Sequence, residues 1–367
     1  ELSAYLAKGM QFDLEAVPGG WQNRVVLIAD DEWGKSSLKE FSHTRSCELL
    51  ADSTLPQSLE RIKFYLIEYP WPPGTSPSGP HPEKPEAREA LISLLSEGCS
   101  QAIYFGHGSY GQLAHEKILL TSDVEVIEND GRQAVMIFAS CDLGHFDMTS
   151  TDCLAEKFTL QPGGGAIATI AATRGTFGGS NERLFEEYFG TYYEEEGCDV
   201  SSALWKAKVS VVGYHNSRYY AIMGDGGVRP SFPDSSHSTF ELSEDSLYRG
   251  RVNTVTASLN NSSTGLVEVT ESGSNVIYNG LDGGSVDYLK YGSAVYSGLV
   301  TGSAGEFALS FFAPVQADTG SLSRGSLLGL SASSPEVGYR EWMTLSDDGG
   351  YVADSLPPEI EMWIRGH

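Results

Sequence analysis

The chain has 367 residues, 40% hydrophobic and 20% charged, an ordinary globular composition that excludes a fibrous or disordered protein and predicts about two domains. Its 24 Lys and Arg against 49 Asp and Glu leave a net charge of −25 at pH 7, which repels phosphate backbones and argues against nucleic acid as a partner. No apolar run approaches the roughly 18 residues of a membrane span; the longest candidate, residues 307–315, is strand-length.

The chain opens on Glu1 with no leader, which reads as a mature or excised piece of a longer polypeptide. From Arg24 to about Val212, short apolar runs alternate with helical patterns. Strands are expected at Arg24–Ala29, Ile62–Glu68, Gln101–Phe105, Ala134–Ser140 and Ala166–Thr173. The clearest helix runs from Pro85 to Glu97, with Ala87, Ala90, Leu91, Leu94 and Leu95 on one face and Gly98 as its stop. Two more are expected, one from Asn181 to Glu196 and one after the N-cap candidate Asp199, running to Val212. Near-continuous apolar strands separated by helices predict an α/β fold, a mostly parallel sheet covered on both faces.

The grammar changes after the Pro- and Ser-rich stretch Arg229–Ser238. From there to Ala353 the chain is dense in Ser, Thr, Gly and Val, with short alternating runs such as Phe307, Leu309 and Phe311. Turn signals recur at Asn260–Asn261, Asp282–Gly283 and Gly302–Gly305. This is the pattern of a small antiparallel β-sandwich. Residues 355–361 read as a linker into a strand of a further segment.

In an open α/β sheet, chemistry gathers at the carboxyl ends of the strands. The strand ending at Phe105 runs into Gly106, His107 and Gly108, and the strand ending at Ser140 runs into Cys141, 34 residues after His107. A thiol there can act as a nucleophile if an imidazole relays its proton. The glycines allow close substrate approach and leave the Gly108 N–H able to face an oxyanion. The bland alternatives are a buried packing cysteine and a turn histidine; their joint occurrence at two strand ends favours the functional reading. The five cysteines, at 47, 99, 141, 153 and 198, are odd in number and lack CxxC spacing, so neither a disulfide framework nor a zinc–cysteine site is expected. Cys47, Cys99, Cys153 and Cys198 are assigned to packing or chance exposure.

These residues resemble a family. The segments 21–32 (WQNRVVLIADDE), 104–109 (YFGHGS), 114–119 (AHEKIL), 140–147 (SCDLGHFD), 163–177 (GGGAIATIAATRGTF) and 216–233 (NSRYYAIMGDGGVRPSFP) are similar, in order, to the gingipain-like cysteine peptidases of the caspase-like clan. Residues 295–315 and 357–364 resemble the β-sandwich that follows that catalytic domain, and the similarity is strongest to the cell-surface sortases of the type IX secretion system. The resemblance implies a caspase/gingipain-like peptidase domain over 1–235, an immunoglobulin-like β-sandwich over 236–356, and the start of a truncated segment over 357–367. It implies Cys141 as nucleophile, His107 as general acid/base, and the N–H groups of Gly108 and Cys141 as oxyanion donors. The implied partners are the C-terminal signal domains of secreted cargo, an anionic lipopolysaccharide acceptor and other type IX secretion components, at the bacterial cell surface. No cofactor is required by such chemistry.

Other positions stay open. The family's LLGDP turn is replaced by Ile222, Met223, Gly224, Asp225 and Gly226. Gingipains orient the histidine with a further acid, and Glu48 is the nominee here, although a helical Glu near Arg45 also suits a local ion pair. Asp30, Asp31 and Glu32 could line the site, hold a structural calcium ion, or simply be solvated. His115–Glu116 lacks zincin spacing and reads as a substrate loop or structural pair. His145 is a surface residue or a modifier of the thiol's field. Asp142, Thr173 and Arg174 are expected to shape the pocket, with Arg174 receiving a carboxylate or pairing with an acid. The competing functions are a purely hydrolytic gingipain-like protease and a non-catalytic cargo-binding scaffold.

Overall fold

The computed structural model describes residues 2–15, 18–31, 41–74, 83–230, 232–279, 284–330 and 335–350. Two compact units form: 1–236 with 275–290 and 328–337, and the remainder from 237 onward.

The first unit follows the alternating grammar. Helix α1 (Leu2–Glu15) precedes strand β1 (Arg24–Ala29), helix α2 (Ser42–Ser53), strand β2 (Glu60–Tyr65), helix α3 (Pro85–Glu97) and strand β3 (Gln101–Phe105). Three two-residue strands follow, β4 (Gly108–Ser109), β5 (Gln112–Leu113) and β6 (Leu119–Leu120), making a small sheet of their own. Then come β7 (Ala134–Ala139), α4 (Leu154–Leu160), β8 (Ala166–Ala172), α5 (Gly178–Glu194), α6 (Val200–Ser210) and β9 (Tyr220–Gly224). The main sheet has the order β2-β1-β3-β7-β8-β9, parallel except for β9. This is the α/β architecture that the apolar runs predict.

The period-2 rule divides each central strand between two cores. Val25, Leu27, Ile103, Phe105, Val135 and Ile137 join a core with α2, α5 and α6, which includes Leu50, Phe185, Tyr188 and Leu204. Val26, Ile28, Ala102, Tyr104, Met136 and Phe138 face the other way, against Leu91 and Leu95 of α3 and Phe158 of α4. With helices on both faces, neither alternate position of a strand sees water, which is why the runs are apolar throughout.

Several boundaries differ from expectation: β7 and β8 end one residue early, α5 starts three residues early and ends two early, and α6 ends two early. The run at 62–68 ends as a strand at Tyr65, because its partner β1 ends at Ala29 opposite it, and Leu66–Glu68 wind into a 3-10 turn. Helix α1 has no strong sequence signal; it is held by Lys8, whose ammonium donates to the carbonyls of Thr159, Gln161 and Gly164 at 2.6, 3.0 and 3.2 Å. Asp199 caps α6 as expected, accepting the Ser202 N–H at 2.7 Å.

A later hairpin completes this unit. Strands β14 (Ser274–Asn279) and β15 (Ser285–Lys290), numbered in chain order, pair with each other, and Val286 and Tyr288 are buried in the α2 core. The expected turn at 282–283 lies outside the described residues. The second unit contains β10 (Thr239–Leu242), β11 (Leu247–Tyr248), β12 (Val252–Ser258), β13 (Thr264–Thr270), β16 (Ala294–Thr301), β17 (Glu306–Phe312) and most of β18 (Gly320–Gly329) and β19 (Glu336–Ser346). They form two sheets, β10-β12-β17 and β11-β19-β18-β13-β16, which share a core of Phe240, Val255, Val267, Phe307, Phe311 and Met343, as in a β-sandwich. The segment at 355–367 lies outside the described residues. Among the described residues no helix is long and apolar enough to cross a membrane.

Candidate active site

β3 and β7 are hydrogen-bonded parallel neighbours, with Phe105 opposite Ala139. His107 and Cys141 each lie two residues beyond that last pair, so both emerge from the same edge of the sheet. Both are half-buried. The two strand ends are tied together: the Ser140 hydroxyl donates to the Gly106 carbonyl at 2.7 Å. Asp142 then takes a left-handed backbone (φ 57°), a conformation Asp tolerates better than most residues, and turns the chain away just after Cys141.

The His107 turn is built by Asp30 at the end of β1. Its carboxylate accepts the His107 N–H at 2.9 Å and the Asp31 N–H at 2.9 Å, and lies 3.3 Å from the Tyr104 hydroxyl. Tyr104 in turn donates to the His107 carbonyl at 2.6 Å. Any side chain at Gly106 would strike this assembly, since a Cβ there would lie 2.2 Å from the Tyr104 oxygen and 2.6 Å from Asp30 Cβ. Gly108 is equally constrained, because a Cβ there would lie 2.6 Å from Ser140 Oγ. It faces Leu113 in the β4–β5 pair, and the flanking bond runs from the Ala114 N–H to the His107 carbonyl. That pattern makes Gly108 and Leu113 a non-hydrogen-bonded pair, which turns the Gly108 N–H away from the partner strand.

The Cys141 sulfur faces the loop after β8. The Thr176 N–H donates to Sγ at 3.2 Å, and Sγ lies 3.5 Å from the Thr176 carbonyl. A buried polar network holds this loop: Asn181 donates to Thr176 Oγ1 at 3.1 Å, and its carbonyl oxygen accepts from Asn216 and Tyr220, each at 2.6 Å. Thr176, Asn216 and Tyr220 fall within the motifs at 163–177 and 216–233, but nothing in those motifs shows that they meet at Asn181; the tertiary packing does.

The acid nominated to orient His107 needs correction. Glu48 accepts from Lys63 at 2.7 Å and from the Tyr65 hydroxyl, both on β2, so its carboxylate is committed to the far side of β1. The acid at the His107 turn is Asp30. The sequence also gives no sign of His43, on the first turn of α2, whose ring lies edge-on to His107 with centroids 5.5 Å apart. His115, expected as a substrate-loop or structural residue, flanks the same ring with centroids 5.0 Å apart.

Burial and the neighbouring Asp31 push the Asp30 carboxyl up to about 7, and burial with Asp31 and Asp30 pushes Glu116 up to about 9. The Lys84 ammonium sits 3.1 Å from Asp31, each side chain only 3% exposed, so an internal cation already stands where a calcium ion would meet Asp31. Glu32 lies outside the described residues. Arg174 pairs bidentately with Asp147, at 3.1 and 2.7 Å, and His145 lies 3.3 Å from Asp147 and 3.8 Å from Asp142. Both therefore belong to a surface ion-pair network. All five thiols are free; burial raises Cys47, Cys99 and Cys153, the last two to about 12, which leaves them protonated and inert.

Asp30→Asn is expected to disturb the turn without removing volume. An amide in place of the carboxylate loses an acceptor for one of the two N–H donors, at a cost of about 1–3 kcal/mol. Displacement of His107 should lower kcat roughly 10- to 100-fold with KM little changed, as measured on a peptide substrate.

The profile of peptidase family C25 matches residues 1–231. None of the curated proteins matches the chain. Among solved structures, the Arg-specific cysteine proteinase gingipain R (RgpB) is similar with 14% identity and a TM-score of 0.49, over 95% of this chain and 72% of that one. The complex of Porphyromonas gingivalis RgpB pro- and mature domains gives 14% identity and 0.47, over 95% and 74%. A structure described as a protease gives 16% identity and 0.49, over 93% and 72%.

Proposed function

The chain belongs to peptidase family C25, the gingipain family of cysteine peptidases, and from that membership we propose that it is an endopeptidase and transpeptidase acting through Cys141 and His107. The observation that carries this reading is the matched placement of the two residues at the ends of adjacent parallel strands.

In the proposed cycle His107 takes the Cys141 thiol proton as the sulfur attacks the scissile carbonyl, and the Gly108 and Cys141 N–H groups receive the oxyanion. His107 protonates the leaving amine, and a thioester remains. An attacking amine or water then gives its proton to His107, which passes it to the departing Cys141 sulfur as the thioester collapses, and the thiol is restored. Hydrolysis and transpeptidation differ only in this last nucleophile.

The ordered motifs at 104–109, 140–147 and 216–233 support a finer assignment, to the PorU kind of type IX secretion sortase. In that reading the substrate is secreted cargo, the cleaved part is its C-terminal signal domain, and the acceptor is an amine of an anionic lipopolysaccharide at the cell surface. A net charge of −25 opposes direct approach to such an acceptor, so delivery by another component of the secretion machinery fits best.

The test is mass spectrometry of a cargo C-terminal domain incubated with the chain and a small amine. The expected product is a new carboxyl end carrying the amine. A free carboxyl end alone would indicate a hydrolytic gingipain-like protease, and binding without any cleavage would indicate a cargo-binding scaffold.

A further inference from the structure

Three elements converge on one point at the His107 turn. Asp30 comes from the end of β1, His43 from the first turn of α2 and His107 from the end of β3, and one ligand atom from each lies within 4.8 Å of the others. We propose that Asp30, His43 and His107 form a zinc site whose occupancy switches the peptidase off.

The donor set is two imidazole nitrogens and one carboxylate oxygen, which suits Zn²⁺ better than the all-oxygen preference of Ca²⁺ or Mg²⁺. Zinc ligands at about 2.0–2.2 Å from the metal stand roughly 3.3 Å apart. The atoms must therefore draw in by at most about 1.5 Å, and His43 and His107, both half-buried, are the side chains that would make that adjustment. The carboxylate needs no such freedom. Asp30 is 1% exposed and is already aimed by the N–H groups of His107 and Asp31, the kind of outer support that fixes a ligating carboxylate. Three protein ligands leave a position for water.

The neighbouring group of Asp30, Asp31 and Glu116 is a poorer cation site, because Lys84 already neutralises Asp31 at 3.1 Å. Zinc bound through His107 takes the lone pair that would accept and return the substrate's protons. The thiol itself is not a ligand in this arrangement, so acylation is lost while Cys141 stays chemically intact. The inhibitory part of the inference rests on the catalytic role proposed for His107; the metal site rests on geometry alone.

The experiment titrates Zn²⁺ into the full chain against a chromophoric chelator and repeats it for His43→Ala, His43→Asn and Cys141→Ala, with circular dichroism to establish folding. One Zn²⁺ per wild-type chain is expected, with affinity unchanged in Cys141→Ala and lowered roughly 100-fold or more in the folded His43 variants. Co²⁺ in place of Zn²⁺ should give a visible d–d spectrum without a thiolate charge-transfer band. Equal affinity in both His43 variants, no binding to wild type, or a sulfur charge-transfer band that disappears in Cys141→Ala would overturn the site. Cleavage of a peptide substrate should stop at saturating Zn²⁺ and return on chelation. Undiminished cleavage with zinc bound would overturn the switch, and a chain inactive toward peptides would defeat the catalytic reading while the binding measurements still decide the metal site.

Discussion

Replacement of Cys141 by Ala is expected to lower kcat/KM at least about 10³-fold and to abolish the trapped thioester, while the melting temperature moves little. The other four cysteines cannot substitute. Cys47, Cys99 and Cys153 are buried with raised thiols, and Cys198 lies beyond the C-terminal end of α5 with its own thiol raised by burial and by Glu195. Cys141 alone stands at the sheet edge beside the His107 turn, with its sulfur held by Thr176. His107→Ala should fall by a similar factor, and the double variant little further, because in the proposed cycle the two residues act as one unit. Labelling with a thiol-reactive peptide followed by mass spectrometry checks the assignment directly. Retained cleavage by Cys141→Ala would remove it from the mechanism.

The second large effect concerns stability and lies far from the chemistry in sequence. Tyr288 of β15 packs its ring against Tyr65, centroids 5.2 Å apart, and its hydroxyl donates to Glu68 at 3.0 Å. Val286 is buried in the same core, the Phe41 and Tyr278 rings are 6.0 Å apart, and Arg45 of α2 donates to the Ser285 carbonyl at 2.9 Å. The hairpin thus covers the core beneath α2 although it follows α6 by more than 60 residues. Tyr288→Ala is expected to cost about 3–5 kcal/mol in urea unfolding, the usual range for deleting a buried aromatic ring. Asp287→Ala, at an exposed position of the same strand, should stay within about 0.5 kcal/mol of wild type. A chain ended at residue 236 should be destabilised at least as much as Tyr288→Ala. Equal midpoints for that shortened chain and the full one would show the hairpin to be dispensable.

Much of the α/β framework was legible because its physics is local. Strands β1 and β3 and helix α3 match their expected limits, since burial on both sheet faces demands unbroken apolar runs and a one-sided helix demands the 3.6-residue period. Where local physics was weak, the reading failed. Helix α1 is tied down by distant partners, Lys8 to three carbonyls, Tyr5 to Ile167 and Phe12 to Trp21, and β2 stops where its neighbour stops.

The candidate site divides the same way. His107, Gly108 and Cys141 were legible because strand ends are where a parallel sheet gathers function, and two of them carried chemically suited residues. Glu48 was misjudged because sequence distance says nothing about which face of β1 a helical carboxylate reaches; Lys63 and Tyr65 claim it. Asp30 and Thr176 were visible only as members of the motifs at 21–32 and 163–177, with no role attached to Thr176, and His43 not at all.

The sequence by itself therefore determined the family, the layered α/β class and the residues at two strand ends, because burial period and ordered motifs are properties of neighbouring positions. Tertiary structure alone decided which acid supports His107, which loop holds the Cys141 sulfur, which second histidine joins them, and that a later hairpin completes the peptidase core. Each of these is a contact between residues tens to hundreds of positions apart, and hydrogen-bond and packing partners at that range are chosen by the way the sheet and helices close on one another.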